Sequence, residues 1–136
     1  MIVSNANVFD VKRYVESIIR DYPRTDDYIA ERARNMAKAF SKEQSMLGKE
    51  VTVKDPKVWA LKRDRNLAEV KHNQEVITAC LADLTASERE MVAAYFFNGY
   101  TTGERVSEEL NTSVSTVSRM KNKFMNAVAK RKGLRL

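Results

Sequence analysis

From Val117 onward, Val117, Met120, Phe124, Ala127, Val128 and Arg131 recur at spacings of 3, 4, 3, 1 and 3. That rhythm belongs to a helix and is incompatible with a strand, whose faces alternate every second residue. The opposite face carries Ser115, Arg119, Asn122, Lys123 and Asn126. Just upstream, Asn111 is one of the few non-glycine residues that tolerate a left-handed helix end. Ser113 is then a good N-cap for the helix beginning at residue 114. The stretch Leu110 to Lys132 therefore reads as the end of a short helix, a tight turn and a long helix over 114–131. Between Ser113 and Leu136 stand seven Lys or Arg and no Asp or Glu. A helix with one buried face and one acid-free polar face suits a polyanion. The plainer alternative is a solvated basic surface helix.

The 136 residues are enough for one compact domain or two very small ones. Hydrophobic residues make up 43% and charged residues 31%, which permits a core. Four Gly, two Pro and scattered β-branched residues lean the chain towards an all-α fold. The net charge of +6 is uneven: residues 1–82 hold 15 basic and 12 acidic residues, 83–112 hold two and six, and the last 24 hold seven and none. The polyanion signal is thus concentrated at the C-terminal end. The single Cys80, flanked by Ile77 and Leu81, is expected in the core. One Cys and one His cannot make a Cys/His zinc site within one chain. No apolar run approaches a membrane span, and the first ten residues lack a signal-peptide pattern. A cytoplasmic protein with no membrane partner is expected.

Taken in order, Asn7 with Asp10 is expected to cap a first helix over 8–21, with Val8, Val11, Val15, Ile18 and Tyr22 on one stripe. Pro23 closes it. Thr25 is expected to cap a second helix to about 44, burying Ile29, Ala33, Met36 and Phe40, so that the two form a hairpin. Residues 45–54 read as a loop, with Val51 to Val53 too short for a sheet. Asp55-Pro56 restarts a long connecting helix to about 83. Its seam is Ala60, Leu67, Val70, Ile77, Leu81 and Leu84, suited to intramolecular packing more than to a coiled coil. Trp59 reads as core. Residues 1–83 are taken as a helical platform and candidate oligomerisation region, and 84–136 as a separate domain expected to keep some binding alone but to lose stability, because it would bury far less core. In that domain Ser87 with Glu90 is expected to cap a helix over 88–97, with Met91, Val92, Tyr95 and Phe96 inward. A turn over 99–103 and a short helix over 104–110 precede the basic helix.

This order is a helix-turn-helix with a supporting helix in front. Leu84, Ser87, Glu88, Arg89, Val106, Leu110 and the run from Ser113 to Arg119 resemble region 4 of sigma-70-type factors. The whole chain resembles the phage-associated transcriptional regulators of the ArpU and RinA type. That resemblance implies a phage or prophage regulator of late genes in a bacterial host cell. Double-stranded DNA would be its ligand, with host RNA polymerase and a second copy in a homodimer as partners. Arg105 stands where the sigma pattern usually has Glu, and Asn111 where it usually has Gly. The chain is also too short to include a promoter-melting region, which favours an activator or repressor over a complete sigma factor.

Roles follow from position on the long helix. Ser115, Thr116, Ser118, Arg119 and Asn122 lie in its first turns, within reach of base edges. Arg suits guanine O6 and N7, and Asn suits adenine N6 and N7. Lys121, Lys123, Lys130, Arg131, Lys132 and Arg135 are expected on phosphates, which position without reading sequence. Arg131 and Arg135 have the competing role of favouring the helix C-terminus. Thr101 and Thr102 are also within reach of phosphate. No Gly-rich phosphate loop or nucleophile motif is present, so no catalytic residue, metal or cofactor is expected. The main rival is a phage terminase small subunit, which combines a helix-turn-helix with oligomerising helices for DNA packaging. A helical adaptor with a basic tail for an acidic partner is the third reading.

Overall fold

The computed structural model describes residues 7–99 and 101–136, and the side chains of 10–99 and 101–136 among them. The cap expected at Asn7 and the contact expected of Val8 fall on side chains outside that set. The fold is all-α. Its helices are α1 (Asn7–Asp21), α2 (Thr25–Met46), α3 (Pro56–Arg63), α4 (Arg65–Ala82), α5 (Ala86–Val92), α6 (Gly103–Glu109) and α7 (Val114–Arg131). A single 3₁₀ turn, Tyr22–Arg24, links α1 to α2, and α5 runs on into a wide π turn over Ala93–Phe97. No strand occurs among the described residues, and Val51 to Val53 are irregular.

Two helix starts differ from expectation. Thr25 does not cap α2: the residue at the cap is Arg24, with no side-chain cap bond, and Thr25 is buried within the helix. The cap of α5 is Thr85. Its hydroxyl accepts the N–H of Glu88 at 3.2 Å, and the Glu88 carboxylate accepts the N–H of Thr85 at 3.0 Å. The sequence holds two overlapping capping boxes, Thr85/Glu88 and Ser87/Glu90. The one that forms is the one whose Glu also meets Lys123 of α7, at 2.8 Å.

The long connecting helix is two helices. Asp64 takes an extended conformation (φ −108°, ψ 114°), and its N–H closes α3 on the Ala60 carbonyl at 2.8 Å. Its carboxylate accepts the N–H groups of Asn66 at 2.8 Å and Leu67 at 3.4 Å, which opens α4. Arg32 holds the other oxygen at 2.9 Å. Burial pushes this carboxyl up, but the two N–H groups and the Arg32 guanidinium outweigh it, so its pKa falls below the ordinary value. An Asp that caps competes with helix continuation, and here capping wins.

The described chain divides into two compact units, Met1–Pro23 with Glu75–Leu136, and Arg24–Gln74. The expected boundary near residue 83 is therefore not followed, and α1 and α2, read from sequence as one hairpin, belong to different units. The reason lies in α1. Val15 and Ile19 are wholly buried in the same core as Val92, Phe96, Val117, Phe124, Met125 and Val128. The seam read along α3 and α4 also serves two cores. Ala60 and Leu67 join Ile29 and Ala33, whereas Ile77 and Cys80 join the core around α7. Burial raises the Cys80 thiol pKa, with Arg131 beside it pulling the other way. Trp59 is half-buried at the edge of the smaller core, its ring 5.1 Å from that of Phe40.

Candidate nucleic-acid interface

The long helix α7 is held at both ends by motifs that the backbone requires. At its start, α6 ends with Leu110 and the chain turns through Asn111 at φ 52°, the left-handed conformation expected from the sequence. The N–H of Thr112 bonds the Ser107 carbonyl at 2.9 Å, and that of Asn111 bonds Glu108 at 3.4 Å, a Schellman closure. The Ser113 hydroxyl then accepts the N–H of Thr116 at 3.1 Å and starts α7. At the other end Gly133, at φ 75°, repeats the closure, with Leu134 N–H on the Ala129 carbonyl at 2.8 Å. Leu134 folds back onto the core. A Cβ on Gly103, at the start of α6, would meet Val114 and Val117 of α7 in ordinary contact, at 3.8 and 4.0 Å.

The buried face of α7 is broader than the sequence stripe. Val117, Met120, Phe124 and Val128 are buried as expected, and Met125 and Ala129 join them, while Ala127 is exposed. At 3.6 residues per turn Met125 and Ala129 flank the Phe124–Val128 line, and Ala127 falls outside it. The opposite face is open. Ser115, Arg119, Asn122, Asn126 and Lys130 are all exposed, and the helical period puts them within about 80° of one another. Asn126, given no role from sequence, stands in this line. Ser118 lies at its edge, exposed. Thr116 is half-buried and its hydroxyl is 2.8 Å from that of Ser113, so it is spent largely on the cap.

The seven cations after Ser113 divide in a way that composition does not reveal. Lys123 Nζ donates to Glu88 at 2.8 Å, and this bond, with the Thr85 N–H, holds the Glu88 carboxyl down to about 2. Lys121 lies over the Tyr95 ring at 5.2 Å. Arg131 is 3.8 Å from Asp83. Lys132 donates to the Tyr14 hydroxyl at 2.9 Å. Arg119, Lys130 and Arg135 are exposed and make no such contact among the described residues. Thr102 caps α6 by accepting the Arg105 N–H at 3.2 Å, and Thr101 is half-buried.

The platform under α7 includes one contact that no local pattern signals. The wide turn Ala93–Phe97 breaks the regular i→i−4 ladder, and Arg20 of α1 donates to the carbonyls of Tyr95 and Gly99, each at 3.5 Å. Its guanidinium also stands 5.5 Å from the Tyr95 and Phe96 rings. Arg20 and Tyr95 are 75 residues apart, so nothing short-range announces the pair. Among the described residues no three His, Cys, Asp or Glu side chains gather as a metal ion needs, and no helix is long and apolar enough to cross a membrane. In comparisons with family models, curated proteins and solved structures, nothing matches this chain.

Proposed function

We propose that this chain is a sequence-specific regulator of transcription that lays the N-terminal half of α7 into the major groove of double-stranded DNA. One observation carries the reading: Ser115, Arg119, Asn122 and Asn126 form a single exposed, acid-free line on a helix whose other face is buried. Arg and Asn are the side chains best able to read guanine and adenine through paired hydrogen bonds. The short helix α6, the Asn111 turn and α7 supply the helix-turn-helix that presents such a line to a groove. Lys130, roughly 16 Å along the helix from Arg119 at 1.5 Å per residue, suits phosphates where the helix leaves the groove, and Arg135 follows beyond the helix end. The resemblance to sigma region 4 and to the ArpU and RinA type extends this to a phage or prophage activator working with host RNA polymerase.

Selection of bound duplexes from a random pool, at stated salt, tests the reading. An enriched motif that is lost with Arg119→Ala and Asn122→Ala supports it. A palindrome with half-sites about one helical turn apart would add a two-fold dimer. Binding without sequence preference, or a ring-shaped oligomer in light scattering, would move the protein to the packaging or adaptor classes.

A further inference from the structure

The smaller unit carries a surface groove of about 500 Å³ between the end of α2, the loop over 51–55 and α3. Its apolar lining is Phe40, Val51, Val53, Val58 and Trp59. Val58 is 49% exposed and Val51 37%, high for valines set side by side in a concave surface. The rim is basic: Lys54, Lys62 and Arg63 line it with one acid, Asp55, whose carboxylate is spent on the Val58 N–H at 3.2 Å. Arg63 is fixed in place, donating to the Trp59 carbonyl at 3.1 Å with its guanidinium 5.0 Å from the Trp59 ring.

We propose that this groove docks an acidic amphipathic helix of another protein. A helix of that kind lays side chains at i, i+3, i+4 and i+7 into an apolar trough. Its carboxylates would meet Lys54, Lys62 and Arg63, whose charge is complementary. Nucleic acid fits less well. Arg63 already lies over the Trp59 ring and competes with a stacked base, and phosphates would leave three valines without apolar cover. A second copy of this chain fits less well too, because it brings a net charge of +6 to a basic rim. Docking here does not depend on the DNA reading of α7.

Trp59 is the single tryptophan of the chain and reports directly on the groove. The test pans the full chain against a random peptide library and follows the enriched peptides by Trp59 emission. The expected winners carry Asp and Glu with apolar residues at helical spacing, and they shift the emission to the blue in a saturable way. Val58→Asp removes an apolar contact and places a carboxylate where acidic peptides dock, and should weaken them by about tenfold or more. The double variant Lys54→Glu, Lys62→Glu tests the rim on a fold left intact. It should also lose the acidic peptides and accept versions with Lys in place of Glu. Winners that are basic or unpatterned, or indifferent to both variants, overturn the proposal. So does a blue shift that follows protein concentration alone, which is self-association, or a Trp59 response to single-stranded oligonucleotides in place of peptides.

Discussion

The two faces of α7 differ in composition and do opposite things. The inward face is closed by tertiary contacts: Val117, Phe124, Met125 and Val128 are all at most 1% exposed. The outward face keeps Ser115, Arg119, Asn122, Asn126 and Lys130 in water. Four cations are engaged by the rest of the unit, Lys121, Lys123, Arg131 and Lys132. The lesson is that a count of positive charge overstates a binding footprint. A lysine already paired with a carboxylate brings less net charge to a phosphate.

The contrast makes its largest claim about the inward face. Phe124→Ala should destabilise the fold by about 3–5 kcal/mol in denaturant titration, since it removes a fully buried ring that packs on Phe96. Cutting the chain to 84–136 should do worse and leave no cooperative unfolding. It discards Val15, Ile19, Ile77 and Cys80 from the same core, so independent binding by that segment is no longer expected. A folded, DNA-binding 84–136 fragment would show that α1 is dispensable. On the outward face the sign of the experiment reverses. Arg119→Ala and Asn122→Ala should leave the melting temperature alone and each cost about 1–3 kcal/mol in binding to the preferred duplex.

The turn that presents the outward face comes next. Asn111→Ala should lose about 1–2 kcal/mol of stability, because a Cβ without a local hydrogen-bonding side chain strains at φ 52°, whereas Asn111→Gly should be tolerated. The cations are subtler. Lys130→Ala should lower the salt dependence of DNA binding by about one counterion, and Lys123→Ala by clearly less, because Glu88 already neutralises it. Equal slopes would dissolve the distinction between engaged and open cations.

The smallest effect is in pH. Glu88 is held to about 2 against an ordinary 4.5, so its contribution to stability is complete above the ordinary value and fades as pH falls from 4.5 towards 2. Carboxyl NMR titration should find that low midpoint, and Lys123→Ala should raise it, since the Lys123 bond is the largest cause of the depression. An unshifted midpoint in both proteins would mean that the Lys123–Glu88 bond does not persist in solution.

Much of this protein was legible in the amino acids alone. The helical class, the Asn111 turn, the Ser113 cap and the Asp55-Pro56 start all rest on interactions within a few residues, where period and cap chemistry act. What failed was longer in range. One seam along α3 and α4 divides between two cores, because periodicity says which residues are apolar and not which partner covers them. Asp64 broke a helix that its neighbours favoured, because Arg32 and two N–H groups converge on one carboxylate. Thr85 caps α5 in place of Ser87, and the Glu88 of its capping box is also held by Lys123, 35 residues away. The same limit governs the basic helix. Sequence supplied seven cations, but only packing decided that Lys121, Lys123, Arg131 and Lys132 face their own unit while Arg119, Lys130 and Arg135 stay open, since the partners that engage a charge come from distant segments brought close by the core.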